Sequence, residues 1–169
     1  MKIFLLTFLL LLLTHVLAFP AEDGWVWRPP AIKAEVRKGG LPKIDGDLGD
    51  PVWKEASVSE AFLLVDGRKA KSRTKLYILR DETTLYVAVE CFETEDLLKK
   101  IEAKVAGHDQ DEIWSDDCVE LFLDPTGRRS TYYQIIANSK GATWDTFHAR
   151  AGDPDKRWEP KYAAAAKTG

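Results

Sequence analysis

The segment Ile113-Trp114-Ser115-Asp116-Asp117-Cys118-Val119-Glu120-Leu121-Phe122-Leu123-Asp124 contains the strand pattern that decides the fold class. Side chains alternate across a strand, so one face carries Val119, Leu121 and Leu123, and the other carries Cys118, Glu120 and Phe122. Because an unpaired carboxylate is costly to bury, Glu120 either lies on an open face or has a basic partner. Trp114 is either a lid on the core or an exposed platform, and since most tryptophans are largely buried, its residue type alone favours the lid.

Short strand patterns continue on both sides of this segment. Residues 75–80 and 85–92 flank the turn Asp81-Glu82-Thr83-Thr84 and predict an antiparallel hairpin. Residues 85–89 have no polar face, which predicts a central strand covered on both sides. Further strands are predicted at 31–38, 61–65, 131–138, 142–150 and 162–166. Regularly spaced short strands with turn clusters between them predict an all-β, antiparallel β-sandwich of jelly-roll type.

One short helix is predicted near 94–106, inserted between the strands. Thr94 can cap its N-terminus, and Glu95 and Asp96 suit the positive end of the helix dipole. Gly107 is expected to stop it.

The first 18 residues have the pattern of a secretory signal peptide. Lys2 supplies the positive charge, residues 3–13 are apolar, and Val16-Leu17-Ala18 offers small-residue spacing for cleavage. The apolar run is too short to span a bilayer. We therefore expect a signal peptide at 1–18, an extended lead-in at 19–40 and a single sandwich domain at 41–169. The mature protein is expected to be secreted, periplasmic or at the cell surface.

The charge balance and the missing motifs exclude several classes of function. The chain carries 24 Lys+Arg against 27 Asp+Glu, for a net charge of −3, and its basic clusters are short. Nucleic-acid binding needs clustered basic residues, so no nucleic-acid partner is expected. No later segment is apolar enough to span a membrane. The sequence has neither a P-loop nor the G-x-G-x-x-G or G-x-S-x-G pattern.

Cysteine, histidine and acidic residues leave several questions open. Cys91 and Cys118 either form one disulfide or are two small hydrophobic residues buried in separate strands. His108 and His148 are interpreted as surface residues. The carboxylates within 109–117 could hold Ca²⁺, but the EF-hand pattern is missing. No cofactor is expected, calcium is kept as an alternative, and no metal ligands are assigned.

Four motifs in register resemble carbohydrate-binding module family 9, which belongs to the wider group of DOMON-like β-sandwiches. The first is the Ile44-Asp45-Gly46 turn running to Val52-Trp53, and the second is the hairpin of residues 75–89. The third is the 113–124 segment, and the fourth is the strand and turn of residues 132–141. The resemblance covers residues 43–145.

This resemblance implies a non-catalytic module that binds a sugar of an oligo- or polysaccharide between two tryptophans. By position, Trp114 corresponds to one clamping tryptophan, Glu120 to a hydroxyl-binding carboxylate and Asn138 to a hydrogen-bonding amide. Gln134 lies on the same strand face as Asn138 by period two. The resemblance therefore favours the exposed platform for Trp114. It also implies a role in polysaccharide breakdown, either as a stand-alone module or as the front end of a larger protein with a catalytic domain downstream.

The sequence departs from the family pattern at two places. Ile136 occupies the position where a basic sugar contact is expected. The second clamping tryptophan and the closing strands are expected beyond Gly169, because neither Trp144 nor Trp158 has the matching context. The sandwich is therefore expected to lack C-terminal strands. Trp53 is interpreted as a core anchor.

Three other functions remain as alternatives. A haem-binding electron-transfer module of the same superfamily would need His108 and His148 in one pocket, since Met1 is the sole methionine and leaves with the signal peptide. A glycosidase would need Glu120 with Asp116 or Asp117 across a cleft. A sandwich used only for adhesion is the third alternative.

Overall fold

The structure is a computed structural model that describes residues 2–9, 31–150 and 152–168. The predicted cleavage site and most of the predicted lead-in at 19–40 lie outside the described residues. Nine strands form two sheets in the described part of the chain. They are β1 (Lys2–Leu9), β2 (Ser57–Ser59), β3 (Thr74–Arg80), β4 (Thr84–Cys91), β5 (Cys118–Leu123), β6 (Tyr132–Asn138), β7 (Thr143–Arg150), β8 (Asp153–Asp155) and β9 (Tyr162–Thr168).

Every pairing between these strands is antiparallel, as the turn-linked sequence pattern predicts. One sheet has the order β2-β3-β4-β1-β9 and the other the order β5-β6-β7-β8. The predicted hairpin is β3–β4, in which Leu76 pairs with Val89 and Ile78 with Val87. The prediction of an all-β antiparallel sandwich is confirmed.

The core lies between the two sheets and is built from alternate residues of their central strands. Leu85, Val87 and Val89 of β4 cluster with Ile135 and Ala137 of β6. Val119, Leu121 and Leu123 of β5 pack against this cluster, as the alternation in the opening segment predicts.

The second face of β4 is also covered. Tyr86 and Ala88 pack with Val52 and Trp53 of the 3₁₀ helix Pro51–Glu55. Residues 85–89 are therefore a central strand buried on both sides, and Trp53, at 3% exposure, is the core anchor that the sequence predicts.

The predicted helix is much shorter than expected. It is α1 (Glu95–Leu98), and Thr94 caps it by accepting a bond from the Leu97 N–H. The prediction that it continues to residue 106 is wrong. The backbone N–H groups of Glu102, Lys104 and Val105 donate to the carboxylates of Asp117 and Asp116, so they do not pair within a helix.

Two predicted strands are also absent from the described residues. Residues 31–38 contribute only the bridge between Val36 and Arg80, and residues 61–65 only the bridge between Leu63 and Lys69. The edge strand next to β3 is Ser57–Ser59 instead. Cys91 and Cys118 lie in different sheets, and no disulfide joins them.

Residues 2–9, part of the segment interpreted as a signal peptide, form a strand in this structure. The backbone of β1 lies between β4 and β9, with Lys2 opposite Cys91 on one side and opposite Thr168 on the other. In the described residues no helix is long and apolar enough to cross a membrane.

Candidate functional site

The candidate site lies on the face of the four-stranded sheet that points away from the core, which we call the outer face. Since Val119, Leu121, Ile135 and Ala137 point into the core, their neighbours along each strand point outward. The register brings these neighbours side by side, with Glu120 opposite Ile136 and Phe122 opposite Gln134. The outer face comprises Cys118, Glu120, Phe122, Tyr132, Gln134, Ile136, Asn138, Trp144, Thr146 and His148.

Trp114 stands at one end of the outer face and is 44% exposed. It belongs to the 3₁₀ helix Asp111–Ser115, which is anchored by its neighbour Ile113. Ile113 is fully buried against Ile136 and Trp144, so Ile113 and not Trp114 covers the sheet. The Trp114 ring meets the Trp144 ring edge to face, with centroids 4.6 Å apart. Trp114 is thus an exposed platform resting on a buried aromatic neighbour.

A buried tryptophan and a lysine fix the start of this 3₁₀ helix. The Trp144 Nε1–H donates to Asp111 Oδ1 at 3.1 Å. Lys156 Nζ donates to both oxygens of the same carboxylate, at 2.6 and 2.7 Å. The hydrogen bond from Lys156 holds the pKa of Asp111 below its usual value. These contacts orient the platform from below.

A buried carboxylate fixes the other end of the helix, an arrangement we call the Asp116 clamp. Asp116 accepts bonds from the Lys104 and Val105 N–H groups, at 2.8 and 3.0 Å, and from Asn138 Nδ2 at 2.8 Å. Burial alone would raise the pKa of Asp116, but these hydrogen bonds together hold it below its usual value. The clamp ties residues 104–105 to the sheet directly beside Trp114.

Asn138 has no exposed surface and serves the interior of this arrangement. Its Nδ2 donates to Asp116 and to the Val105 carbonyl oxygen, and its Oδ1 accepts from the N–H groups of Lys140 and Ala142. Both amide protons and both acceptor directions are therefore used within the chain. The geometry gives Asn138 a structural task, and its sugar contact stays a prediction.

Glu120 and Gln134 come together as the sequence predicts from their shared face. Glu120 is exposed, and its Oε2 accepts a bond from Gln134 Nε2 at 3.0 Å. Gln134 Oε1 lies 3.1 Å from His148 Nε2. Because the Gln134 amide donates through nitrogen to Glu120, its oxygen accepts the proton of His148 Nε2. A chain of hydrogen bonds thus runs from a buried imidazole to an exposed carboxylate.

His148 is a residue that the sequence-based interpretation missed. It was expected at the surface, but it is only 6% exposed, and its ring stacks on Tyr132 with centroids 4.3 Å apart. Burial lowers its pKa, which favours the neutral imidazole that donates to Gln134. The pairing of Tyr132 with His148 depends on the register of β6 and β7, which no local pattern reveals.

Ile136 also has a structural explanation. This residue occupies the position where the family resemblance expects a basic contact, and here it is fully buried beneath Ile113. The apolar anchor of the 3₁₀ helix therefore covers the place where a basic side chain would act.

Two of the alternative functions are not supported by the geometry. An acid catalyst of glycoside hydrolysis needs a raised pKa, whereas the pKa of Asp116 is lowered, and Asp117 accepts the Glu102 N–H. A bis-histidine haem site needs both rings in one pocket. His148 points to the outer face, whereas His108 bonds to Thr143 and lies beside Asp145, which point to the opposite face of β7.

Three of the carboxylates proposed from sequence as a Ca²⁺ site are already paired within the chain. Asp111 binds Lys156, and Asp116 and Asp117 accept backbone N–H groups. Asp109, from the same stretch, belongs with His108 and Asp145 to a group of described side chains that could share a metal ion.

Comparison with known proteins gives similarities to modules of larger enzymes. The chain is 31% identical over 98 residues to endo-1,4-beta-xylanase A of Thermotoga neapolitana, covering 57% of this chain and 8% of the relative. It is 30% identical over 104 residues to endo-1,4-beta-xylanase A of Thermotoga maritima, covering 61% of this chain and 9% of the relative. The chain thus spans less than a tenth of these curated relatives. No solved structure gives a significant match.

A family model described as "Carbohydrate family 9 binding domain-like" matches residues 44–169, which contain both sheets except β1. This family consists of non-catalytic carbohydrate-binding modules, and the match confirms the resemblance drawn from the four motifs. The chain belongs to the carbohydrate family 9 binding domain-like family.

Proposed function

We propose that the protein binds a sugar residue of a polysaccharide on the outer face, with Trp114 as the stacking platform. The observation that carries the proposal is the exposed indole of Trp114 on the same face as the hydrogen-bonded pair Glu120–Gln134. The C–H face of a pyranose ring packs on an aromatic ring, while its hydroxyl groups need directional polar partners. Glu120 accepts hydroxyl protons, and its orientation is set from behind by Gln134 and His148.

The names of the relatives support a proposal for the glycan class. Both are named endo-1,4-beta-xylanases, so we propose a β-1,4-linked polysaccharide of the xylan type as the ligand. The module then serves a polysaccharide-degrading system by holding a catalytic partner at its substrate.

Calorimetric titration with xylohexaose and cellohexaose tests the proposal. Saturable binding accompanied by a change in tryptophan fluorescence supports it. The absence of binding to either oligosaccharide, and to a broad glycan array, contradicts it and favours a sandwich used only for adhesion.

Export is the second part of the proposal, with the protein acting outside the cytoplasm as a secreted, periplasmic or cell-surface protein. Its support is the charged, apolar and small-residue pattern of residues 1–18. N-terminal sequencing of the protein recovered from outside the cytoplasm is expected to begin at Phe19. Recovery of intact chains starting at Met1 from the cytoplasm alone contradicts it.

A further inference from the structure

A second cluster of polar side chains lies on the opposite side of β7 from the proposed sugar site, with Asp145 buried and His108 and Glu159 exposed. Three carboxylate oxygens surround one imidazole nitrogen there. His108 Nε2 lies 3.4 Å from Asp109 Oδ1, 3.5 Å from Asp145 Oδ2 and 3.3 Å from Glu159 Oε2. The four residues come from three separate segments of the chain, so their convergence is a product of the fold.

The position of His108 is set by backbone bonds to β7. The Thr143 N–H donates to the Gly107 carbonyl oxygen at 3.1 Å, and the Asp109 N–H donates to the Thr143 carbonyl oxygen at 2.9 Å. His108 Nδ1 lies 2.9 Å from Thr143 Oγ1. Residues 107–109 are therefore held against the first residue of β7, and the ring is fixed at one nitrogen.

The two ring nitrogens of His108 have different surroundings. Nδ1 faces the Thr143 hydroxyl, and Nε2 is within hydrogen-bond distance of Glu159 Oε2, so the tautomer determines which of the two nitrogens donates. Tyr162 Oη donates to Asp145 Oδ2 at 2.9 Å. In the tautomer with its proton on Nδ1, the Thr143 hydroxyl oxygen accepts that proton, and the Nε2 lone pair faces three carboxylate oxygens.

Such an arrangement is repulsive unless a positive charge lies among the four groups. Two observations on Asp145 strengthen this point. Its side chain has no exposed surface, and its Oδ1 has no hydrogen-bond partner among the described residues. A carboxylate buried in this way is costly without a compensating positive charge.

We propose that His108, Asp109 and Asp145, whose ligand atoms all lie within 4.8 Å of one another, bind one divalent transition-metal cation beside Glu159. A tetrahedral ion with ligands at about 2.0–2.1 Å separates neighbouring ligand atoms by about 3.3 Å. This is close to the 3.4 and 3.5 Å that separate His108 Nε2 from Asp109 Oδ1 and Asp145 Oδ2. A metal-binding histidine commonly donates its second N–H to a fixed acceptor, the role that Thr143 has here. Mixed imidazole and carboxylate ligands suit Zn²⁺ better than Ca²⁺, which prefers oxygen alone. The ion joins residues 107–109 to β7.

Zinc titration of the untagged full chain tests the site. At neutral pH, calorimetry is expected to show one Zn²⁺ per chain, and the ion is expected to raise the melting temperature because it binds the folded state. His108→Gln is expected to weaken Zn²⁺ binding by at least about tenfold. His108 is an exposed residue whose replacement leaves the core intact, so circular dichroism of this variant is expected to match the wild type. Glu82→Gln, an exposed carboxylate in the β3–β4 turn, is the matched control and is expected to bind as the wild type does.

Three results overturn the proposal. The first is Zn²⁺ binding that is absent, or equal in the wild type and the folded His108→Gln variant. The second is a nitrogen NMR spectrum that shows His108 as an imidazolium even with excess Zn²⁺, because a proton then neutralises the cluster. The third is Ca²⁺ that binds this cluster more tightly than Zn²⁺, which removes the transition-metal assignment.

Discussion

Replacing Trp114 by alanine is predicted to weaken sugar binding by about tenfold while the sandwich stays folded. A tryptophan side chain presents up to about 250 Å², and Trp114 is 44% exposed, so roughly 110 Å² is available. A stacked pyranose ring covers one of the two ring faces, or about half of this area. At about 25 cal/mol per Å², the contact contributes ~1.4 kcal/mol, which corresponds to about a tenfold change in Kd.

Calorimetry with xylohexaose measures the effect directly. Trp114→Phe is expected to retain part of the affinity, since a smaller ring still offers a stacking face. The control is Val58→Ala, because Val58 is exposed to a similar degree, 48%, but belongs to the edge strand β2 of the other sheet. Folding is expected to survive Trp114→Ala because Ile113, which is fully buried, anchors the 3₁₀ helix.

Two outcomes would refute this reasoning. One is a folded Trp114→Ala variant that binds the oligosaccharide as tightly as the wild type. The other is an equal loss of affinity in Val58→Ala, which would assign the effect to general destabilisation.

Three further substitutions test the surroundings of the platform. Asp116→Asn removes the charge of the Asp116 clamp, which accepts two backbone N–H groups. Each hydrogen bond to a charged group contributes ~1.5–3 kcal/mol. Urea denaturation should therefore show a loss of about 3 kcal/mol in the free energy of unfolding. The pKa of Asp116 is lowered in the folded state, so the unfolded chain binds this proton more tightly. The stabilisation by the clamp is therefore present above the unfolded pKa of about 3.9 and is lost as the pH falls through the folded pKa. If the free energy of unfolding falls equally with acid pH in the wild type and in Asp116→Asn, the reasoning is wrong. His148→Ala should reduce sugar affinity because Gln134 loses the hydrogen-bond donor that orients it. His148→Gln keeps an N–H donor and should recover part of the affinity. Equal sugar affinities in the wild type and both variants would show that His148 has no positioning role. Gly46→Ala should lower the melting temperature, because the φ of Gly46 is +79° and an added Cβ would lie 2.9 Å from the backbone of β9, whereas Gly40→Ala, with open space around it, should not.

Much of the fold is encoded in local patterns. The alternation of Val119, Leu121 and Leu123 with Glu120 and Phe122 correctly separates the core face from the outer face, because a strand places successive side chains on opposite sides. The unbroken apolar run of residues 85–89 correctly predicts a strand that is buried on both faces, since neither face has a row of polar side chains.

The features that local patterns miss depend on partners far along the chain. The helix does not continue to residue 106 because the N–H groups of Glu102 and Lys104 bind Asp117 and Asp116, and propensity contains no information on such partners. His148 is buried because β7 pairs with β6 in a register that stacks its ring on Tyr132. The exposure of Trp114 is predicted only in part from sequence. Its residue type favours a buried position as a lid on the core, and only the family resemblance indicates an exposed platform.

The location of β1 has a consequence for the export that we propose. Its backbone bonds to β4 and β9 use the same residues that an export channel would need to capture, so under this proposal folding of the precursor and its translocation compete for one segment. A precursor that completes this sheet first would hide residues 2–9 from the channel and from the peptidase. Cleavage after translocation would leave β4 and β9 about 10 Å apart, twice the spacing of paired strands. The proposal therefore makes the order of folding and export decide whether β1 or another strand lies between β4 and β9.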